Sequence, residues 1–337
     1  MNNMAKFQNI VSKKRNKLEE VIPLSTPYTI SIDPSNLCDF KCNFCATHYS
    51  EEGKNIKKQT MSLELFKKIV DDISQFDNKL KVLRITGNGE PLLNKQLPKM
   101  IKYAKDKKIA DFIEIITNGS LLNKNLNREL IDSGIDRIRI SIEALNAKGY
   151  KEIANANINY DEFLSNIKDL YDNRKNCEIY IKTVDVVVKT QEDKDKFIKL
   201  FNDKCDRFFI DKIIPLWAGF DQIEYDLEDG MGLHGQEVKK VKICPFIFYS
   251  FVINSNGEVT CCCADWKRKL VIGDTNKESV KDIWNGKKIR EFWKRMLKGE
   301  KDQIEVCKEC YYPTFDCNDN IDEFANKIYD KVTKIEV

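Results

Sequence analysis

Histidine is nearly missing from this chain of 337 residues: only His48 and His234 occur. Metal sites built mainly from imidazole, such as zinc proteases or facial-triad iron enzymes, are thereby excluded. Long apolar runs are missing too. No stretch approaches the roughly 20 residues that a membrane span needs. Met1 to Ile10 has neither an apolar core nor a small-residue cleavage site, so no signal peptide is expected. An excess of one charge sign is also lacking: 56 Lys and Arg face 53 Asp and Glu, a net charge of +3. That balance gives no electrostatic reason to expect nucleic acid or an anionic membrane as partner. The basic run Lys13-Lys14-Arg15 reads as a solvated helix face. No internal repeat or low-complexity segment is found.

What remains is a globular composition, 42% hydrophobic and 32% charged, long enough for one large domain and a smaller one. A cytoplasmic location is expected. Thiols stay reduced there, so the twelve cysteines point to metal or catalysis rather than a disulfide framework.

From Tyr28 onward, strand and helix patterns alternate. Strands are predicted at Tyr28–Asp33, Leu80–Thr86, Phe112–Thr117, Arg137–Ile142, Glu178–Val188 and Arg207–Ile214. Helices are predicted at Ser62–Phe76, Lys95–Lys108, Asn123–Ser133, Tyr160–Arg174 and Glu192–Lys204. In the first, Phe66, Ile69, Val70 and Ile73 form one face and Ser62 can cap the start. Such alternation implies parallel strands joined by right-handed crossovers, with functional residues in the loops after the strands. Cys177 and Cys205 precede strands and read as structural thiols.

A second region follows an irregular stretch. Ser255-Asn256-Gly257 between two apolar runs predicts a hairpin. Ser279–Lys298 is predicted as one helix, then come a Cys-rich knuckle at Cys307–Cys317 and a short amphipathic helix, Ile321–Val332. The expected division is an extension at 1–27, a barrel at 28–220, a linker at 221–240, an auxiliary domain at 241–317 and a tail helix at 318–337.

Two cysteine groups carry the chemistry. Cys38-x₃-Cys42-x₂-Cys45 lies in a loop after a strand. Three thiolates can hold three irons of a 4Fe–4S cluster and leave the fourth iron open to a small ligand. A zinc knuckle would need a fourth ligand, for which His48 is the only local candidate. The later group is Cys244, Cys262, Cys307 and Cys310, which by spacing suits either four-cysteine zinc or a fully ligated second cluster. In an extended strand Cys261 and Cys263 face away from Cys262. Gly87 and Gly89 let backbone approach a ligand closely, and Glu90 suits an ammonium.

The triplet, with Phe44 just before its third cysteine, resembles the signature of the radical S-adenosylmethionine (SAM) superfamily. Three further segments match in order. Thr86-Gly87-Asn88-Gly89-Glu90-Pro91 is similar to the superfamily's Gly-Gly-Glu-Pro segment, Thr117-Asn118-Gly119 to the turn after its third strand, and Ser141-Ile142-Glu143-Ala144 to the end of its fourth. The resemblance implies a partial (β/α)6 TIM barrel and a SAM site involving Phe44, Gly87, Gly89, Glu90, Asn118, Ser141 and, as partner of the methionine carboxylate, Lys182. Gly257 to Cys262 and Ile283-Trp284-Asn285 resemble the SPASM domain in its shorter twitch form, a β-hairpin–helix unit with one auxiliary cluster. The cofactors implied are two 4Fe–4S clusters and SAM, with an electron donor such as flavodoxin or ferredoxin. The layout is most similar to enzymes acting on aminocyclitols and sugars, notably 2-deoxy-scyllo-inosamine dehydrogenases, and implies a small-molecule substrate. The expected activity is alcohol oxidation with the auxiliary cluster as electron acceptor. The alternatives are epimerisation with Cys261, Cys263 or Cys317 as hydrogen donor, peptide modification, or a non-enzymatic iron–sulfur or zinc protein. Asp185, Trp217 and Glu224 sit where substrate contacts could lie.

Overall fold

The computed structural model describes residues 6–7, 16–214, 230–238, 240–317 and 319–334. Among the described residues ten strands form one sheet: β1 (Lys6–Phe7), β2 (Thr29–Ile32), β3 (Leu80–Ile85), β4 (Ala110–Thr117), β5 (Arg137–Ser141), β6 (Glu178–Val184), β7 (Arg207–Asp211), β8 (Ser250–Ile253), β9 (Glu258–Thr260) and β10 (Val271–Asp274), in the order β1-β7-β6-β5-β4-β3-β2-β8-β9-β10. The six predicted strands are β2 to β7, all mutually parallel. They are joined by the five predicted helices, each ending within a few residues of the expected bounds. The first begins as expected, with the Ser62 hydroxyl accepting from Leu65 N at 3.1 Å.

Alternation along the strands sorts the side chains. Ile30, Ile32, Leu83, Ile85, Ile113, Ile115, Ile138, Ile140, Ile179 and Ile181 are fully buried on the face covered by the helices. The opposite face carries Ser31, Arg84, Glu114, Arg137, Arg139, Lys182 and Asp211. This parallel, helix-covered sheet has the form of the expected partial barrel, accompanied by a C-terminal strand-and-helix unit.

The C-terminal hairpin extends the barrel's own sheet. β8 pairs in parallel with β2, and β9 and β10 continue it antiparallel. Gly257, at φ +93°, supplies the left-handed turn residue between β8 and β9. The predicted single helix over 279–298 is in fact two, Val280–Asn285 and Lys287–Leu297, because Gly286 adopts an extended conformation (φ −77°, ψ 166°). The break lets both Trp284 and Trp293 face inward. Trp284 stacks on Phe251 of β8 (5.5 Å) and packs edge-on against Trp293 (5.1 Å). Their indole N–H groups donate to Leu24 O and Ile247 O, each at 2.8 Å. Asp72, on the helix after β2, accepts from Val280 N at 3.2 Å. The predicted tail helix forms over Ala325–Lys334, where Lys331 Nζ donates to Glu19 O at 3.1 Å.

These contacts join the auxiliary region to the barrel, so the two should unfold together. Trp284→Ala should destabilise the protein by about 3–5 kcal/mol and shift one cooperative transition, seen alike by far-UV dichroism and Trp fluorescence. Two separated transitions would contradict this coupling.

Candidate functional site

All the sequence-predicted loops open on one rim, at the carboxyl ends of β2 to β7. The cysteine triplet follows β2. Cys45 N donates to Cys42 O (3.0 Å), and the Cys45 thiol lies 3.0 Å from Thr47 Oγ1. Burial pushes the Cys38 thiol up to about 12, with Asp39, Glu90 and Cys45 adding to the effect. Cys42 is raised by burial, then by Glu143, Cys45 and Cys38. Three half-buried thiols thus lie near one another. Among the described residues no three His, Cys, Asp or Glu side chains stand ready around a single ion position. An all-thiol donor set fits an iron–sulfur cluster, whose binding removes the protons that burial retains.

The Gly87–Pro91 turn packs directly beneath this loop. Glu90 N donates to Leu37 O at 2.7 Å. A Cβ on Gly89 would lie 2.3 Å from Leu37 O and 2.4 Å from Ser35 O, so only glycine admits the approach. The Glu90 carboxylate is buried and used by the chain itself. Oε1 accepts from Leu92 N (2.9 Å) and Thr117 Oγ1 (2.5 Å), and Oε2 from Asn118 N (2.7 Å). Asn118 Nδ2 in turn donates to Asp39 Oδ1 at 2.9 Å. Loops after β2, β3 and β4 are therefore tied at one carboxylate.

Two of the cavities at the rim border the predicted site residues. One, of about 260 Å³, is lined by Phe44, Ser141, Glu143, Lys182, Asp211 and Tyr312 among others. Lys182 therefore faces the barrel interior, which alternation alone had left undecided. Its Nζ lies 3.6 Å from Asp211 Oδ2. Burial pushes Glu143 up to about 7 against the attraction of Lys182. Asp211 also meets His234 Nδ1 at 2.8 Å. The second cavity, of about 200 Å³, lies between the Gly87–Asn88 turn and the second cysteine region; its lining includes Asp33, Arg84, Gly87, Asn88, Cys262, Cys263 and Tyr312. Phe44, Ser141 and Lys182 thus share one cavity and Gly87 borders the other, while Gly89, Glu90 and Asn118 form the tie between loops.

The later cysteines converge. Burial raises the Cys244 thiol, followed by Cys310, Cys307 and Cys317. Cys262 is raised chiefly by its hydrogen bond with Cys263, and then by burial, Cys263 and Cys244. Burial and Cys310 push Cys307 up to about 12. This four-thiol set also fits an iron–sulfur cluster. The expectation that Cys263 faces away from Cys262 is corrected: β9 ends at Thr260, so alternation stops and both residues border the same cavity. Cys261 is buried, 1% exposed.

The description of the radical SAM superfamily matches residues 32–201, half of the chain. The chain belongs to the radical SAM superfamily. An iron–sulfur cluster-binding SPASM domain matches residues 244–311. The cofactors these domains imply are SAM and two 4Fe–4S clusters, one SAM-binding and one auxiliary. A probable GTP 3′,8-cyclase of Methanococcus maripaludis is 38% identical over 127 residues, 37% of this chain and 39% of that protein. The GTP 3′,8-cyclase of Campylobacter jejuni subsp. doylei is 32% identical over 171 residues, 51% and 50%. The chain thus spans two fifths to half of these curated relatives. The crystal structure of BtrN in complex with AdoMet and 2-DOIA superposes with a TM-score of 0.55 at 18% identity, covering 84% of this chain and 92% of that one. Streptococcus suis SuiB bound to precursor peptide SuiA gives 0.64 at 17% identity, covering 92% and 78%. At such identities the likeness shows the fold.

Several site residues escaped sequence reasoning. Glu114, 1% exposed, is met by Arg84 (2.7 Å), Arg137 (3.2 Å) and Arg139 (2.9 Å). Burial works against its charge, yet Arg84 and Arg139 hold the carboxyl down to about 2. The signal was available: charged residues alternate with isoleucine along β5, where a parallel strand covered on both faces would be continuously apolar. Asp33 and Tyr312 gave no comparable signal. Asp185 accepts from Val186 N and Ile213 N, a bond between chain segments. Trp217 and Glu224 lie outside the described residues.

Two predictions follow from this geometry. Gly89→Ala should displace the cysteine loop and cut the iron retained after anaerobic reconstitution; full retention would refute the close-packing role. Burial also pushes Glu90 up to about 7. In the unfolded chain Glu90 and Glu143 deprotonate near 4.5, in the fold near 7. Between these values the native state binds more protons, so their contribution to stability falls as pH rises from about 4.5 to 7. Denaturant titrations of the apo protein should show this slope, and Glu143→Gln should flatten it; an unchanged slope refutes the assignment.

Proposed function

We propose that this radical SAM enzyme oxidises an alcohol on a small carbohydrate or cyclitol-like substrate. The observation that carries the reading is the second cavity, with the Gly87–Asn88 turn on one side and Cys262–Cys263 on the other. At about 200 Å³ it is smaller than the roughly 300–1,000 Å³ of drug-sized ligand sites, which suits a single ring better than a peptide. BtrN, with its 2-DOIA, supplies a structural parallel.

In this reading Cys38, Cys42 and Cys45 hold the SAM-binding cluster, and Cys244, Cys262, Cys307 and Cys310 the auxiliary one. Bound together, the first cluster and SAM supply a 5′-deoxyadenosyl radical, and the auxiliary cluster supplies an electron acceptor. The chain positions the reactants. Gly87 and Gly89 bring the turn's backbone toward the methionine amine, a role that falls to backbone atoms because the Glu90 carboxylate is already engaged. Phe44, Ser141 and Lys182 line the larger cavity, proposed here for the nucleoside end. In that chemistry the substrate carbon would give a hydrogen atom to the deoxyadenosyl radical, its hydroxyl a proton to solvent, and the remaining electron to the auxiliary cluster that Cys262 would help to hold. These losses together convert an alcohol to a carbonyl.

The test is anaerobic reconstitution. The wild type should carry about eight irons per chain and form 5′-deoxyadenosine under dithionite. Cys262→Ala should lose about half the iron yet still cleave SAM, whereas Cys42→Ala should abolish cleavage. Stoichiometric zinc without cleavage would refute the reading.

A further inference from the structure

The wall of the smaller cavity holds a carboxylate oxygen that the chain leaves unused. Asp33, which follows β2, lines this cavity and is 1% exposed. Its Oδ1 accepts from Ser35 N at 3.2 Å, while Oδ2 is buried without a hydrogen-bond partner. Pro34 comes next in the chain and has no N–H to offer. A Cβ on Gly87, which lines the same cavity, would stand 2.1 Å from Asp33 Cγ, so glycine is what lets the carboxylate sit here. Leaving a buried carboxylate oxygen without a donor is costly, and natural interiors rarely do so.

The other titratable groups on this wall are Arg84, Cys262, Cys263, Asp265 and Tyr312, and each is engaged. Asp265 is the second carboxylate, but its Oδ1 accepts from Lys269 N at 2.9 Å and its Oδ2 from Leu270 N at 2.8 Å. Arg84 donates to Glu114 at 2.7 Å and has no acceptor atom. Tyr312 donates its hydroxyl hydrogen to Asp316. Cys262 and Cys263 are hydrogen-bonded to each other. Asp33 Oδ2 is therefore the carboxylate oxygen left for whatever enters the cavity. Burial pushes this carboxyl up to about 6, against the attraction of Arg268, the amides of Ser35 and Asn88 and the attraction of Lys58. A base serves best when its pKa lies near the working pH.

Oxidising an alcohol requires a group that receives the hydroxyl proton. A substrate hydroxyl placed against Oδ2 would supply the donor that this oxygen lacks, and would point its proton at a carboxylate. We propose that Asp33 is the catalytic base, taking the substrate's hydroxyl proton on Oδ2 before it passes to solvent. This rests on the alcohol-oxidation reading above and deepens it by naming the proton's first acceptor. The step balances. The C–H hydrogen atom goes to the deoxyadenosyl radical, the O–H bond breaks with its proton on Asp33, the C=O bond forms, and the one electron left over goes to the auxiliary cluster.

The probes are 2-deoxy-scyllo-inosamine and scyllo-inositol, each given to reconstituted, SAM-saturated holoenzyme, with iron content and SAM affinity measured alongside. The wild type should oxidise at least one of them, at a rate that rises with pH through about 6 and then levels. Asp33→Asn should form ketone at least about 100-fold more slowly and lose that rise, while iron content and SAM affinity hold. Asp33→Ala should be as slow and regain rate when formate is added, a rescue that a merely structural residue would not show. Without turnover, the infrared difference between wild type and Asp33→Asn should contain a protonated carboxyl band that fades as pH rises through about 6. Ketone formation at the wild-type rate in Asp33→Asn would overturn the assignment and leave the alcohol-oxidation reading standing. Loss of iron in Asp33→Asn, no rescue of Asp33→Ala by formate, or no such infrared band would overturn it too. A wild type that oxidises neither probe would overturn the alcohol-oxidation reading and the role of Asp33 with it.

Discussion

One buried carboxylate organises this rim. Glu90 takes donors from Leu92, Thr117 and Asn118, while its own amide holds Leu37 at the entrance to the cysteine loop. Three loops that would otherwise move independently become one body. Gly89 permits the contact, since any side chain there would strike the backbone of residues 35–37. The spacing of Cys38, Cys42 and Cys45 therefore depends on groups outside the triplet, as the outer groups of a metal site fix its ligands' orientation.

A second constraint is the shared sheet. Because β8 pairs with β2, the strand that leads to the first cysteine set lies beside the strand that leads to the second. The hairpin carries Cys262 and Cys263 to the wall of a cavity whose other side is the Gly87–Asn88 turn. Distance between the two cysteine regions is thus set by backbone hydrogen bonds. Trp284 and Trp293 lock that arrangement from behind.

Much of this was legible in the sequence. Six parallel strands and their helices announced themselves through clean periodicity, and the cysteine triplet through its spacing. Two features were not legible. The helix break at Gly286 was masked by the strongly amphipathic residues on either side. The partnership of Cys262 with Cys263 depended on where β9 ends, and strand ends are set by tertiary contacts rather than local pattern.

The account's central claim is that one chain carries two distinct clusters, of which only the first meets SAM. Electron paramagnetic resonance of the reconstituted, dithionite-reduced protein tests it most directly. Two overlapping signals are predicted, one shifting when SAM is added and the other unmoved. A single signal, or two that are both indifferent to SAM, would contradict it.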